Sequence, residues 1–116
     1  MTRIALAFAA LLATALPAAA DPPATPLVCV TNQTSFNLRA KWEHMSAGAW
    51  TFLQEPTLAG GGQSCRRVPN ATRSRVTISV SSGSSWRQAC QNEFPAGRTA
   101  RVVVTGTAQN AACRVE

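Results

Sequence analysis

One histidine, His44, and five acids in a chain of 116 residues leave few ways to build a catalytic centre. The acids are Asp21, Glu43, Glu55, Glu93 and Glu116. A Ser-His-Asp device needs an aspartate that orients the imidazole, and the single aspartate stands in a proline-rich stretch remote from His44 in sequence. Glycoside hydrolysis needs two carboxyls facing each other across a cleft, and no spacing here marks such a pair. Phosphodiester transesterification needs a base, an acid and a cationic clamp. Glu43 or Glu55, His44, and Arg39 or Arg67 are the residues of the right type. Neighbours on a strand point to opposite faces, so Glu43 and His44 would not act together. The expectation is a protein without catalytic activity and without a cofactor; a small basic secreted ribonuclease is the enzymatic alternative.

The four cysteines, Cys29, Cys65, Cys90 and Cys113, show no C-x-x-C spacing, and with one histidine they do not read as a metal site. A cysteine nucleophile needs a free thiol. An even count in an exported chain reads instead as two disulfides, with three possible pairings. Local closure costs less chain entropy, which favours Cys29–Cys65 with Cys90–Cys113. The route to an oxidising compartment is written at the N-terminus. Met1-Thr2-Arg3 is a short positive start, Ile4 to Leu16 is apolar or small throughout, Pro17 breaks the run, and Ala18-Ala19-Ala20 precedes Asp21. That is the layout of a cleavable export signal over residues 1–20. Its apolar run is shorter than the ~20 residues that span a bilayer. Bulky Val28 before Cys29 does not fit a lipoprotein signal. The mature chain, residues 21–116, is expected to act in the periplasm or outside the cell, and its alanine-rich signal reads as bacterial.

Charge is the other chemical resource. The precursor carries a formal +6, and ten of its eleven basic residues are arginine. Such a balance favours anionic partners such as lipid headgroups or cell-surface polymers; solubility alone also accounts for it. An anionic envelope component or a protein is the expected partner; nucleic acid is not favoured. The densest cluster is Arg66, Arg67, Arg73 and Arg75, flanking Pro69-Asn70-Ala71-Thr72. If those pairs are the arms of a hairpin, Arg73 and Arg75 share a face that Arg66 or Arg67 joins. Arg39 and Lys41 make a second stripe. Arginine holds two carboxylate or phosphate oxygens at once, although exposed charge also guards sheet edges. Among the tryptophans, Trp42 and Trp50 read as core, while Trp86, in a serine-rich stretch beside Arg87, is the candidate exposed aromatic.

These residues need elements to position them. Asp21 to Pro26 is a proline-rich lead-in, expected to be extended. Leu27 to Thr31 reads as a strand and Asn32-Gln33 as a turn. From Thr34 to Glu43 the chain alternates strictly, with Phe36, Leu38, Ala40 and Trp42 on one side. Ala49 to Gln54, Gln63 to Val68, Arg75 to Ser81, Thr99 to Thr105 and Ala111 to Val115 read as further strands. Trp86 to Gln91 is open between a strand and a helical turn. Seven to eight short strands and no long helix make a small antiparallel β-sandwich over residues 27–116, with a small barrel as runner-up. Asn32-Gln33-Thr34 and Asn70-Ala71-Thr72 match a glycosylation pattern but read as turns.

The run Val28-Cys29-Val30-Thr31-Asn32-Gln33-Thr34, its alternating continuation to Trp42, then Gly48-Ala49-Trp50 and Gly61-Gly62-Gln63-Ser64-Cys65, resembles a group of small bacterial periplasmic proteins of unknown function. Those place a cysteine near an Asn-x-Thr turn and a second cysteine after a glycine turn; Cys29 here lies farther from its turn. The opening is also similar to aegerolysin-type β-sandwiches, which bind membrane lipids. They lack this four-cysteine layout, and lipid binding is carried over to no residue. The expected function is non-catalytic binding through an arginine-rich face; an inhibitor or toxin-neutralising protein is the alternative.

Overall fold

Apolar side chains repeating every second residue give each strand one dry row, and two sheets bury those rows against each other. The computed structural model describes residues 25–69 and 72–116; residues 1–20, read from sequence as an export signal, residues 21–24 of the lead-in, and Asn70-Ala71 lie outside them. Nine strands follow in chain order: β1 (Leu27–Asn32), β2 (Leu38–Ser46), β3 (Ala49–Gln54), β4 (Thr57–Leu58), β5 (Gln63–Arg67), β6 (Ser74–Ser82), β7 (Ser85–Phe94), β8 (Ala100–Gly106) and β9 (Ala111–Val115). One sheet has the order β5-β1-β8-β9 and the other β3-β2-β6-β7, with β4 also paired to β2. The architecture is a β-sandwich of two open sheets, so no barrel closes.

Three details differ from the expectation. The additional strand is β4, which follows β3 along the same edge of β2. The break between them falls at Glu55-Pro56, where proline has no N–H to give a ladder and an edge tolerates it. The sheets are not wholly antiparallel, because β1 and β8 run parallel. The stretch open between strand and helix is the ten-residue β7.

The core is built from alternate residues of the central strands. Val28 and Val30 of β1 and Val102 and Val104 of β8 meet Leu38, Ala40 and Trp42 of β2 and Val76 and Ile78 of β6, all fully buried. Burying a side chain of this size contributes about 1.5–3 kcal/mol. Trp42 also ties the layers together, since its Nε1–H donates to the Val28 carbonyl at 3.0 Å. The disulfides have separate tasks. Cys29–Cys65 joins neighbouring strands within one sheet, whereas Cys90–Cys113 joins β7 to β9, bonding the two sheets to each other.

The alternation from Thr34 is interrupted because side chains, not a ladder, organise residues 32–37. Asn32 is fully buried. Its Nδ2 donates to the carbonyls of Phe36, Leu58 and Ala59, and its Oδ1 accepts from the Thr34 N–H and hydroxyl. β2 therefore starts at Leu38, and Phe36 lies in the corner rather than in the strand row. Gly60 packs against this corner so closely that a Cβ there would sit 2.7 Å from the Thr34 carbonyl oxygen.

Candidate functional site

The strand register puts most of the chemistry on the outer face of the five-stranded sheet. Leu38, Ala40 and Trp42 point inward, so Arg39, Lys41 and Glu43 point outward. Across the β2–β6 ladder Arg39 faces Ser79, Lys41 faces Thr77 and Glu43 faces Arg75. On β7, Glu93 lies beside Arg75, Gln91 beside Thr77, Gln88 beside Ser79 and Trp86 beside Ser81.

Both edge strands reach this face through a register shift. Between Ile78 and Ser79 the β6–β7 pairing jumps from Cys90 to Gln88, leaving Ala89 unpaired. Such a bulge reverses which alternate residues face outward. Cys90 can then point inward to its disulfide while Gln88 and Trp86 point outward. Between Trp42 and Glu43 the β2–β3 pairing jumps from Gln54 to Phe52, leaving Leu53 unpaired and packed against the core. Phe52 and Trp50 then fall on the outer face beside Glu43 and Met45. This corrects the reading of Trp50 as core: it is half-buried outside the sheet, and Phe52 is 58% exposed.

Cations cover the two outer tryptophans. The Arg75 guanidinium lies 4.2 Å from the Trp50 ring centre and that of Arg73 5.4 Å, while Arg39 lies 4.2 Å from the ring centre of Trp86. Contacts of this type contribute about 0.5–1 kcal/mol at exposed sites. The charges beneath differ from end to end. Arg75 is paired with Glu43 at 2.8 Å with both side chains mostly buried, and Arg73 is paired with Glu93 at 2.6 Å in the open. Among the described residues no carboxylate pairs with Arg39 or Lys41. The face thus runs from a neutralised end at Trp50 to an uncompensated cationic end at Trp86. Thr77, Ser79, Gln88 and Gln91 lie beside the two free cations, and Gln91 Nε2 donates to Thr77 Oγ1 at 2.9 Å.

The cluster read from Arg66 to Arg75 does not assemble. β5 belongs to the four-stranded sheet and β6 to the other, so their connection passes between sheets and is not a hairpin turn. Arg66 reaches Gln54 Oε1 at 3.5 Å, and Arg67 donates to the Thr25 carbonyl at 2.8 Å. Arg73 and Arg75 remain on the outer face with Arg39 and Lys41. Trp86 is 36% exposed. A shallow groove of about 390 Å³, lined by Arg73, Glu93, Phe94, Pro95 and Ala96, adjoins the neutralised end.

The residues of a phosphodiester-cleaving device are not gathered. Glu43 is held by Arg75 on the outer face, and His44, next in the strand, takes the opposite face, its buried Nδ1 without a partner. No group of three metal-binding side chains occurs among the described residues. On the four-stranded sheet, hydrogen bonds from Arg101 and then Arg114 hold the exposed Glu116 carboxyl below the usual carboxylate range.

The fold and face define a two-sheet β-sandwich with an outer layer of paired arginines and tryptophans. No protein-family model matches the chain, and comparison with curated proteins gives no match. Solved structures do share the fold. Suilysin, a cytotoxin from Streptococcus suis, is 13% identical with a TM-score of 0.57, covering 79% of this chain and 23% of suilysin. Pneumolysin, described as a sugar-binding protein, is 12% identical with a TM-score of 0.59 over 79% of this chain and 23% of its own. The human-specific toxin intermedilysin is 16% identical with a TM-score of 0.47 over 78% and 23%. The chain spans about a quarter of the length of each of these proteins, and the likeness to suilysin and pneumolysin is one of fold.

Proposed function

We propose that this chain is an exported, non-catalytic binding module whose working surface is the outer face of the five-stranded sheet, and that its partner is anionic. The observation that carries the reading is the uncompensated pair Arg39 and Lys41, held on central strand β2 with Trp86 stacked on Arg39. A rigid strand fixes both cations, and stacking orders the Arg39 guanidinium before a ligand arrives. Preorganisation of this kind reduces the side-chain entropy lost on binding. Of the other groups that sequence alone offered for an active centre, Glu43 is paired with Arg75, His44 takes the opposite face of β2, and Arg67 belongs to the other sheet. Two disulfides fit an oxidising compartment outside the cytoplasm. The fold is shared with a segment of pneumolysin, described as sugar-binding, which supports a binding role over an enzymatic one.

The test is charge reversal against a matched control. Purified protein is incubated with an anionic cell-envelope fraction, and retention is measured as salt is raised. Arg39→Glu with Lys41→Glu should abolish salt-sensitive retention. Arg67→Glu with Arg98→Glu, which changes net charge equally but away from Arg39 and Lys41, should leave most of it. Equal loss in both pairs would reduce the face to bulk charge and end the proposal.

A further inference from the structure

We infer that the anionic partner is a polysaccharide bearing carboxylate or sulfate groups, laid along the outer face from Trp86 past Arg39 and Lys41. This deepens the binding reading and rests on it.

The lateral arrangement of groups carries the inference. The centre of the face is neither apolar nor uniformly charged. Lys41, Thr77 and Gln91 form one cross-strand row, and Arg39, Ser79 and Gln88 form the next. The rows therefore offer two cations, two exposed carboxamides and the half-buried Ser79 hydroxyl, while the buried Thr77 hydroxyl holds the Gln91 carboxamide in place. A cation meets an acid group, while hydroxyls and carboxamides both donate and accept, as a ligand rich in hydroxyls requires. Trp86 closes this array with an indole that is 36% exposed, a flat apolar surface of the kind on which the C–H face of a sugar ring packs. Along β6, from Arg73 to Ser81, the face extends about 27 Å, long enough for several sugar units. The surface is open and flat, which suits an extended polymer better than a small molecule needing enclosure.

Other anionic surfaces fit less well. Protein interfaces concentrate apolar and aromatic residues at the centre and put charge at the rim; here the aromatics stand at the two ends and the centre is polar. Single-stranded nucleic acid uses successive aromatic platforms for successive bases, whereas Trp50 and Trp86 are separated by the length of the face. Insertion into a lipid layer needs apolar residues at a protruding tip. The hairpin tips flanking the face read Ser46-Ala47-Gly48 and Ser82-Gly83-Ser84, and Phe52, the other exposed aromatic of this sheet, lies in mid-strand.

Affinity electrophoresis of the disulfide-intact protein tests this with five probes: polygalacturonate for carboxylates, dextran sulfate for sulfates, neutral dextran, polyphosphate of matched charge, and phosphatidylglycerol vesicles. Retardation by polygalacturonate or dextran sulfate and not by dextran is expected, with polyphosphate and vesicles weaker by about tenfold, the size of one lost stacking contact. Binding should protect the exposed tryptophan from acrylamide quenching, and Trp86→Ala should remove that protection and weaken polysaccharide binding by about tenfold. Gln91→Glu, which puts a carboxylate at the β7 end of the Lys41–Thr77 row without touching the aromatics, should weaken it as well while preserving the melting temperature. Equal binding of polyphosphate or vesicles would overturn the polysaccharide and leave the anion-binding face standing. No retardation by either acidic polymer would also overturn it, and the charge-reversal experiment then decides whether the face binds anions at all.

Discussion

Asn32→Asp should convert this protein into one whose stability falls steeply as pH rises. Asn32 is fully buried, and its Nδ2 faces three carbonyl oxygens, at 2.8 Å from Phe36 and 3.1 Å from Leu58 and Ala59. Aspartate has the same shape and keeps the Oδ1 that accepts the Thr34 N–H. It replaces the donor with an oxygen set against three other oxygens. The ionised form has neither a cation nor enough N–H groups there, so the folded state holds the carboxyl protonated and its pKa lies well above the unfolded value of ~3.9. The native state then keeps a proton that the unfolded chain releases. Stability is least affected below the unfolded pKa and is lost as pH rises towards the folded one, by about 1.4 kcal/mol per pH unit. Near pH 4 the protonated carboxyl still donates one hydrogen bond, and the loss should be ~1–3 kcal/mol. By pH 7 linkage adds up to ~4 kcal/mol, comparable with a net stability of ~5–15 kcal/mol. Urea unfolding of the wild type and the variant at pH 4 and pH 7, with disulfides intact, measures the difference. An equal loss at both pH values, or a loss under about 1 kcal/mol at pH 7, would refute the claim that the Asn32 amide organises this corner.

Four further outcomes follow from other contacts. Trp42→Phe removes the hydrogen bond to Val28 and part of the core volume, so thermal unfolding should report a loss of ~2–4 kcal/mol. Replacing Cys90 and Cys113 together by serine should cost ~3 kcal/mol in the chain-entropy account; hydrogen exchange should rise in β9 more than in β1, because this bond joins the sheets. Carboxyl titration by NMR should find Glu116 below the ordinary glutamate range, and Arg101→Gln should move it back up; the contact is present above the unfolded pKa and is lost as pH falls through the lowered folded one. Deleting Ala89 removes the bulge but leaves Gln88 opposite Ser79 and Trp86 opposite Ser81, because Cys90 and Trp86 then stand an odd number of positions apart; Trp86 should stay over Arg39, and its quenching by acrylamide should match the wild type.

How much of this was legible in the chain depended on whether alternation stayed in phase. In β2 and β6 it does, because both strands are central and carry one unbroken inner row; Leu38 to Trp42 and Val76 to Val80 could be read directly. In β3 and β7 it does not. A single inserted residue reverses the faces midway, and no residue type announces it: Ala89 and Leu53 look like ordinary strand residues. Trp50 and Phe52 alternate correctly and are apolar, so periodicity placed them in the core. The partners of Arg75 were equally hidden, since Glu43 is 32 residues away and meets it only through the β2–β6 register. Arg66-Arg67 and Arg73-Arg75 flank a plausible turn, but local turn chemistry does not distinguish a hairpin from a crossing between sheets.

The two bulges also explain why the face is built at the edges and tuned at the centre. An edge strand has one free side, so it can absorb an extra residue without disturbing a second ladder. β7 has to satisfy two demands at once: Cys90 must point inward to reach Cys113, and Trp86, four residues earlier, must point outward to reach Arg39. Cys90 and Trp86 are an even number of positions apart, so a regular strand would put both on the same face. One unpaired alanine between them reconciles the inter-sheet bond with the outer aromatic. In β3 the shift separates Gln54, opposite inward-facing Trp42, from the outward pair Phe52 and Trp50, two and four positions away, with Leu53 packed on the core between them. Central β2 and β6 stay regular and supply the cations and hydroxyls in fixed rows. The stapled core and the arginine–tryptophan face are therefore linked through single residues in the register: without Ala89, Cys90 and Trp86 would stand an odd number of positions apart and keep their opposite faces with no bulge at all.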